Sequence, residues 1–404
     1  MKKVAFDLYS SEYQNNPYPT LSNLRKYEPI HEFTVNKREV SWLITRYSDV
    51  VALFKDERLT KDLRNVMSED ELKQTIEIKE ADFIINNMLF KDPPDHRRLR
   101  FLVQKVFTPR MIEGLRTRIE EISANLLEDL ETKRSVDLME DYAAPLPIIV
   151  ISEMMGIPVA DRNQFRIWSN AVTDISNGTE DIEKLNSYVK EFIDYLEILI
   201  EERRQSPQDD IISGLVMAEE DGKNLSKKEL LSMLFLLIVA GHETTVNLIG
   251  NGMLALLQHP EQLEKLRTHP EHIKTAVEEL LRFTNPVEIA TARYALEDMT
   301  LYGKEIKKGE LILLSIAAAN RDPECFDNPE KLDITRERNK HIAFGFGMHH
   351  CLGAPLARLE GQIAFSALIQ RFPNIKLDVD EHEIKWRHSE IFRGLVELPI
   401  KLGE

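Results

Sequence analysis

The chain has 404 residues, 43% of them hydrophobic and 30% charged, enough apolar material for a large core and no composition typical of disorder. Its formal net charge of -16 argues against nucleic acid or an anionic membrane as the main partner, because both reward an excess of lysine and arginine. The two cysteines, Cys325 and Cys351, lie far from any CxxC spacing, which excludes a disulfide scaffold and a cysteine-rich zinc module and fits a reducing cytoplasm.

The first residues, MKKVAFDLYSSEYQNNPYP, carry two lysines but no long apolar core and no small-residue cleavage site, so no signal peptide is expected. Short β signals follow at HEFTV and SWLITRY. Helical periodicity then takes over. Ile112, Leu115, Ile119, Ile122, Leu126 and Leu130 recur at spacings of three and four, as do Ile182, Leu185, Val189, Phe192 and Leu196. No Pro/Ser/Gly-rich linker, low-complexity run or fixed-period repeat interrupts the chain, so one large domain over residues 1–404 is expected, mainly α with small β-sheets.

One helix stands apart. Ser226-Lys-Lys-Glu229 is a capping-box signature, and LLSMLFLLIVAGHETTVNLIGNGMLALLQ runs on without a break to His259-Pro260. At 1.5 Å per residue that spans about 45 Å, a whole domain. Its longest apolar run, MLFLLIVAG from Met233, is too short for a bilayer and leads straight into HETT. The helix is apolar nearly all round and should be buried. Gly-His-Glu-Thr-Thr in its middle therefore needs a reason, since each unpaired polar group there costs a few kcal/mol. Either the helix kinks and the threonine hydroxyls bond back to carbonyls one turn earlier, or Gly241 leaves room for a ligand while Glu243 and Thr244 form a proton-delivery pair.

From Thr291 to Ala317 the β signal returns, with turns at Tyr302-Gly303 and Lys308-Gly309. FGFGMHHCLGAPLARLE, residues 344–360, then sets Cys351 among glycines. Gly345, Gly347 and Gly353 let the backbone approach a bulky planar group, and Pro355 suits the first turn of a following helix whose apolar face is Leu356, Leu359, Ile363 and Leu368. A thiol just before a helix N-terminus is favoured as thiolate. Three uses compete for it. A nucleophile would want a histidine base held by a third group, and no partner motif is visible around His349 and His350. Zinc needs three or four ligands, which His-His-Cys in a row does not wrap into a tetrahedron. An axial ligand to heme iron needs one thiolate and glycines to admit the macrocycle, and it ranks first.

At these residues a family resemblance stands out. FGFGMHHCLG resembles the heme-binding signature of cytochromes P-450, in which a phenylalanine, two glycines, a basic residue, the cysteine and a glycine recur in this order. AGHETT resembles the oxygen-activation motif of the family's long central helix, Glu279-Leu-Leu-Arg282 its Glu-x-x-Arg, and Arg336 in FDNPEKLDITR its third structural partner. DPPDHRRLR, from Asp92, resembles the segment that reaches the heme from the other side. The set covers roughly residues 90 to 360.

The resemblance implies a P-450 fold with the central helix over heme b, whose iron Cys351 ligates while Phe344, Gly345 and Gly353 shape the loop. His96, Arg100, Arg293 and His349 match positions that contact the propionates, which need cationic or hydrogen-bonding partners. Glu243 and Thr244 match the catalytic acid-alcohol pair. Glu279, Arg282 and Arg336 match a buried network that supports the cysteine loop. The departures are small: Leu332 stands where many relatives have phenylalanine, and His242 occupies a variable position with no catalytic role. The implied activity is a monooxygenase that uses O2 to hydroxylate, or epoxidise, a sizeable hydrophobic molecule such as a polyketide or macrolide, fatty acid, terpenoid or steroid. Electrons would come from NAD(P)H through a reductase and a ferredoxin or flavodoxin. A cytoplasmic monomer without membrane anchor is expected. The cavity would be lined by segments at Val66 to Phe90, Trp168 to Thr173, Leu237 and Ala240, Val287 to Ala290, and Ile391-Phe392. A non-catalytic heme-thiolate binding or sensor protein is the competing reading, and it would not need Glu243 and Thr244.

Overall fold

Ser226 starts the helix that organises the chain. Its backbone N–H donates to Glu229 Oε2 (2.9 Å) while the Glu229 N–H donates to Ser226 Oγ (3.2 Å), the reciprocal capping box read from the sequence. The helix then runs from Lys227–Gln258, 32 residues, helical through HETT, and stops where His259 leads into the helix Pro260–Thr268. Taken whole, it is long and apolar enough to cross a membrane by length and composition, contrary to the expectation from its longest apolar run alone. Its most apolar window is 67% buried inside the protein, which accounts for the same pattern.

The computed structural model describes residues 6–35, 39–75, 85–175, 182–220 and 223–403. They divide into two compact units, one formed by Met1–Leu59, Thr117–Leu146 and Thr244–Glu404, the other by Thr60–Arg116 and Pro147–Glu243. No composition change marks these boundaries, and one of them falls inside the central helix.

The first unit holds the main sheet. Strands Ile30–Val35 and Glu39–Ile44 pair antiparallel, with Ile30 opposite Ile44, and Leu311–Leu314 joins the second of them in parallel, with Leu311 opposite Ser41. Arg293–Ala295 then adds antiparallel to Leu311–Leu314. Met299–Leu301 and Lys304–Ile306 form a separate hairpin, closed by Tyr302 and Gly303 at φ of 48° and 80°, as the turn residues predict. Ile44, Ile312, Leu314, Ile306 and Ala319 pack into one core with Phe54.

In the same unit Glu279 is a fully buried hub. Its carboxylate accepts two 2.8 Å bonds from Arg282, one from Arg336 Nε (3.0 Å), one from Asn339 (3.1 Å) and one from the Asp333 N–H (3.0 Å). Arg282 in turn donates to the carbonyls of Asn320 and Pro329, so two charges are buried with their hydrogen-bonding capacity used.

Glu360, on the helix Ala354–Arg371, is equally buried but poorly served. Thr245 is its hydrogen-bond partner, and among the described residues nothing bonds its Oε2. Burial pushes its pKa up from 4.5 to about 8 against the opposing effect of Thr245. The folded carboxyl thus keeps a proton that the unfolded one has lost, so this residue makes stability fall as pH rises from about 4.5 to about 8 and level off above. Glu360→Gln is expected to flatten that fall and to stabilise the protein at about pH 8.5 by on the order of 2 kcal/mol, with little change near pH 5. Urea midpoints of both proteins at the two pH values check this.

The second unit is helical. Asp95–Val106, Arg162–Ile175 and Ile182–Gln205 are its main helices. Phe192 gathers an aromatic cluster with Trp168 (stacked, 5.8 Å), Phe165 (edge-on, 5.6 Å) and Phe235 (6.0 Å). The run from Ile112 to Leu130, periodic throughout, is two helices, Pro109–Gly114 and Arg116–Leu130. The Leu115 N–H bonds the carbonyl three residues back (Ile112, 3.1 Å), tightening and ending the first.

Candidate functional site

The cysteine loop gets its shape from two glycines. Gly345 and Gly347 have φ of 70° and 76°, in the left-handed region that a residue with a Cβ adopts only under strain. They fold the chain so that the Cys351 N–H donates to the Phe344 carbonyl (2.9 Å) and the Gly345 N–H to Ile342 (2.8 Å). The Cys351 side chain is left exposed on this face, and a Cβ built on Gly353 would lie 3.8 Å from its sulfur. Gly353 is also the N-cap of the helix Ala354–Arg371, with Pro355 in its first turn, so the thiol sits two residues ahead of a helix N-terminus. Phe344 is covered by the Arg358 guanidinium, 4.5 Å from the ring, which Glu278 holds with bonds of 2.7 and 2.9 Å. Hydrogen bonds from His341 and Arg358 outweigh burial and hold that glutamate at about 2.

Arg293 is brought to the same loop by a residue the sequence reading missed. Its guanidinium lies 4.6 Å over the ring of Phe54, and a Cβ on Gly345 would lie 3.7 Å from that ring. Arg293 is 4% exposed and donates to the Thr291 carbonyl (3.0 Å), so a cation is buried beside the thiol loop. Nothing in the sequence around Phe54 marks it, because its role comes from packing between segments far apart in the chain. His349 lies half-buried in the short turn Gly347–His349.

In the second unit His96 and Arg100 occupy one face of the helix Asp95–Val106, His96 buried and Arg100 half-buried. Burial, then the Arg100 and Lys61 cations, push the His96 pKa down from 6.5 to about 4, with Asp92 opposing. At neutral pH His96 is therefore a hydrogen-bonding imidazole, not a charge. Lys61, itself 4% exposed, is a further base at this spot that no motif announced.

On the central helix Glu243 is 6% exposed and Thr244, next to it, is half-buried. His242 Nδ1 lies 3.1 Å from the Ile238 carbonyl in the core. A Cβ on Gly241 would make ordinary van der Waals contact with Ile151, at 3.4 Å. One residue earlier, Ala240 is exposed between partly buried Val239 and Gly241. Of the segments expected to line a cavity, residues 76–84 and the side chains of residues 169–173 lie outside the described ones. Val287, Ile391 and Phe392 are half-buried.

These residues fit a heme. A cysteine exposed on a loop whose glycines leave the backbone bare, with a buried guanidinium beside that loop, suits an iron ligand next to a carboxylate contact.

Comparison with known proteins agrees. The cytochrome P-450 family model matches residues 153–391. The polyketide biosynthesis cytochrome P-450 PksS of Bacillus subtilis is 52% identical over 407 residues, covering 100% of both chains. Its solved structure superposes with a TM-score of 0.93 over 99% of this chain and 100% of that one. The cytochrome P-450 monooxygenase PikC of Streptomyces venezuelae is 43% identical over 96% of this chain and 92% of its own. A myxobacterial cytochrome P-450 solved with myristic acid has a TM-score of 0.92 at 41% identity, covering 98% of this chain and 99% of that one.

Proposed function

The chain belongs to the cytochrome P-450 family and is a heme-thiolate monooxygenase, and we propose that residues 1–404 act as one catalytic domain that oxidises a polyketide-derived molecule of macrolide type. Cys351, exposed on its glycine loop, is the observation that carries the reading. The names of PksS and PikC, a polyketide biosynthesis protein and a monooxygenase, support the substrate class. A hydroxylation is the expected outcome, with epoxidation where the reacting carbon is part of a double bond. In the first case a C–H bond, O2, two electrons and two protons give an alcohol and water.

When bound, the heme supplies the activation of O2 and the transfer of one oxygen atom. The rest falls to the side chains. Cys351 would hold the iron, as an electron-rich thiolate. Arg293, His349, His96 and Arg100 would hold the propionates, Arg293 as a charge and His96 as a neutral hydrogen bonder. Thr244 orients a proton and Glu243 passes it in from solvent, a task suited to an acid beside a hydroxyl. Phe344, Gly345 and Gly353 keep the loop open around the sulfur. Electrons come from NAD(P)H by way of a reductase and a ferredoxin or flavodoxin in the cytoplasm. Lys55, exposed with its ammonium 4.5 Å over Phe346, gives that partner a basic landing near the cysteine loop.

Thr244→Ala is the functional test. The variant should keep its heme and its carbonyl spectrum yet form about tenfold less product per electron, with the balance released as hydrogen peroxide. Unchanged coupling, measured as product and peroxide per NADPH, would show that Thr244 has no part in proton delivery.

A further inference from the structure

Two segments far apart in sequence, Pro286 to Ala290 and Ile391 to Gly394, meet in a single antiparallel bridge between Val287 and Phe392. The bridge is closed by the Glu288 N–H bonding Ile391 O (2.7 Å) and the Arg393 N–H bonding Pro286 O (3.1 Å). Side chains alternate across such a pair. Val287 and Phe392, paired across the bridge, are half-buried and apolar, whereas Glu288 and Arg393 on the other face are buried.

That buried face is polar. Arg393 lies 3.9 Å from Glu288 Oε2 and donates to the carbonyls of Gln14 (3.0 Å) and Asn15 (2.9 Å), with its guanidinium 3.7 Å over the Trp386 ring. Tyr13 donates its hydroxyl to Glu288 Oε1 (2.5 Å). The central helix grips the same segment. Asn251 Nδ2 donates to the Arg393 carbonyl (2.7 Å), and Gly394 comes so near that a Cβ on it would lie 2.2 Å from Asn247 Oδ1. Asn247 and Asn251 follow Thr244 by three and seven residues, the spacing of one helix face.

A charged pair buried in this way is seldom a source of net stability, but it tolerates only one arrangement of the segments that carry it. We propose that Glu288 and Arg393, tied by Tyr13, are positioning residues that fix the apolar Val287–Phe392 bridge against the Thr244 face of the central helix and so set how a bulky substrate lies. The proposal rests on the reading of Cys351 as the heme ligand and of this bridge as cavity lining.

Two azoles read it without knowledge of the substrate. Imidazole reports on the iron alone, whereas econazole must also fit the walls. In Tyr13→Phe holoenzyme, titrated by the Soret shift, imidazole affinity should stay within about twofold of wild type while econazole binds about tenfold more weakly. Glu288→Gln should widen the gap, and if it fails to fold, Tyr13→Phe, which keeps the ring, decides alone. Equal weakening of both azoles, or no change for econazole, would overturn the proposal and leave the cluster a stability device. Absence of any Soret shift with imidazole in wild-type protein would instead remove the heme-thiolate reading beneath it.

Discussion

Cys351→Ser is expected to yield folded protein that has lost the strongly red-shifted Soret band of the reduced carbonyl complex, and with it product formation, by on the order of a thousandfold or more. The fold should survive because the loop is held by backbone. The bond from the Cys351 N–H to Phe344 O and the left-handed glycines do not involve the sulfur, and the side chain is exposed, so serine creates no cavity. What disappears is the anionic sulfur, since a serine hydroxyl stays protonated at neutral pH and donates little electron density to iron. The spectrum of the reduced protein under carbon monoxide, recorded beside wild type, decides the matter. A retained red-shifted band would transfer the ligand role elsewhere and reopen the view of Cys351 as a nucleophilic thiol.

The second large effect is on stability. Glu279→Ala is expected to destabilise by about 3–5 kcal/mol, because it strands the fully buried Arg282 guanidinium without its counter-charge. Against a usual total of about 5–15 kcal/mol, that would leave little soluble holoprotein. Arg336 and the Asp333 N–H lose their acceptor at the same time, so the segment leading to the cysteine loop should loosen with the core. Glu279→Gln keeps a carbonyl for part of this set and should fall between the two. Soluble yield and urea midpoint measure both; a near-neutral Glu279→Ala would show that the hub is dispensable.

The contrast between these two residues shows what was legible in the sequence. The cysteine loop could be read because its function is local: sulfur, glycines and proline lie within a dozen residues, each with its own backbone reason for being there. Glu279 and Arg282 alone are an ordinary ion pair at helical spacing, and only their company with Arg336 and Cys351 gave them meaning. The central helix was legible in extent but not in detail, since periodicity does not say that Gly241 packs beside Ile151. Phe54, Lys61 and the Tyr13–Glu288–Arg393 cluster were not legible at all. Each acts through a partner brought close by the fold, and a lone phenylalanine, lysine or glutamate carries no periodic or motif signal. The two compact units were hidden for a related reason, as one of their boundaries lies inside the continuous central helix, where composition does not change.

Tyr13 meets Glu288 across 275 residues, and Arg393 meets Gln14 across 379. Contacts this distant are closed late in folding, because each must wait for a long loop to be drawn in. During synthesis the helix around Tyr13 leaves the ribosome long before its partners exist, and residues as late as Arg393 must emerge before the Val287–Phe392 bridge can be tied down. A nascent chain stalled before that point would therefore hold much of its secondary structure and the Glu279 hub, yet leave Tyr13 and Glu288 without the partner that joins the two ends of the chain.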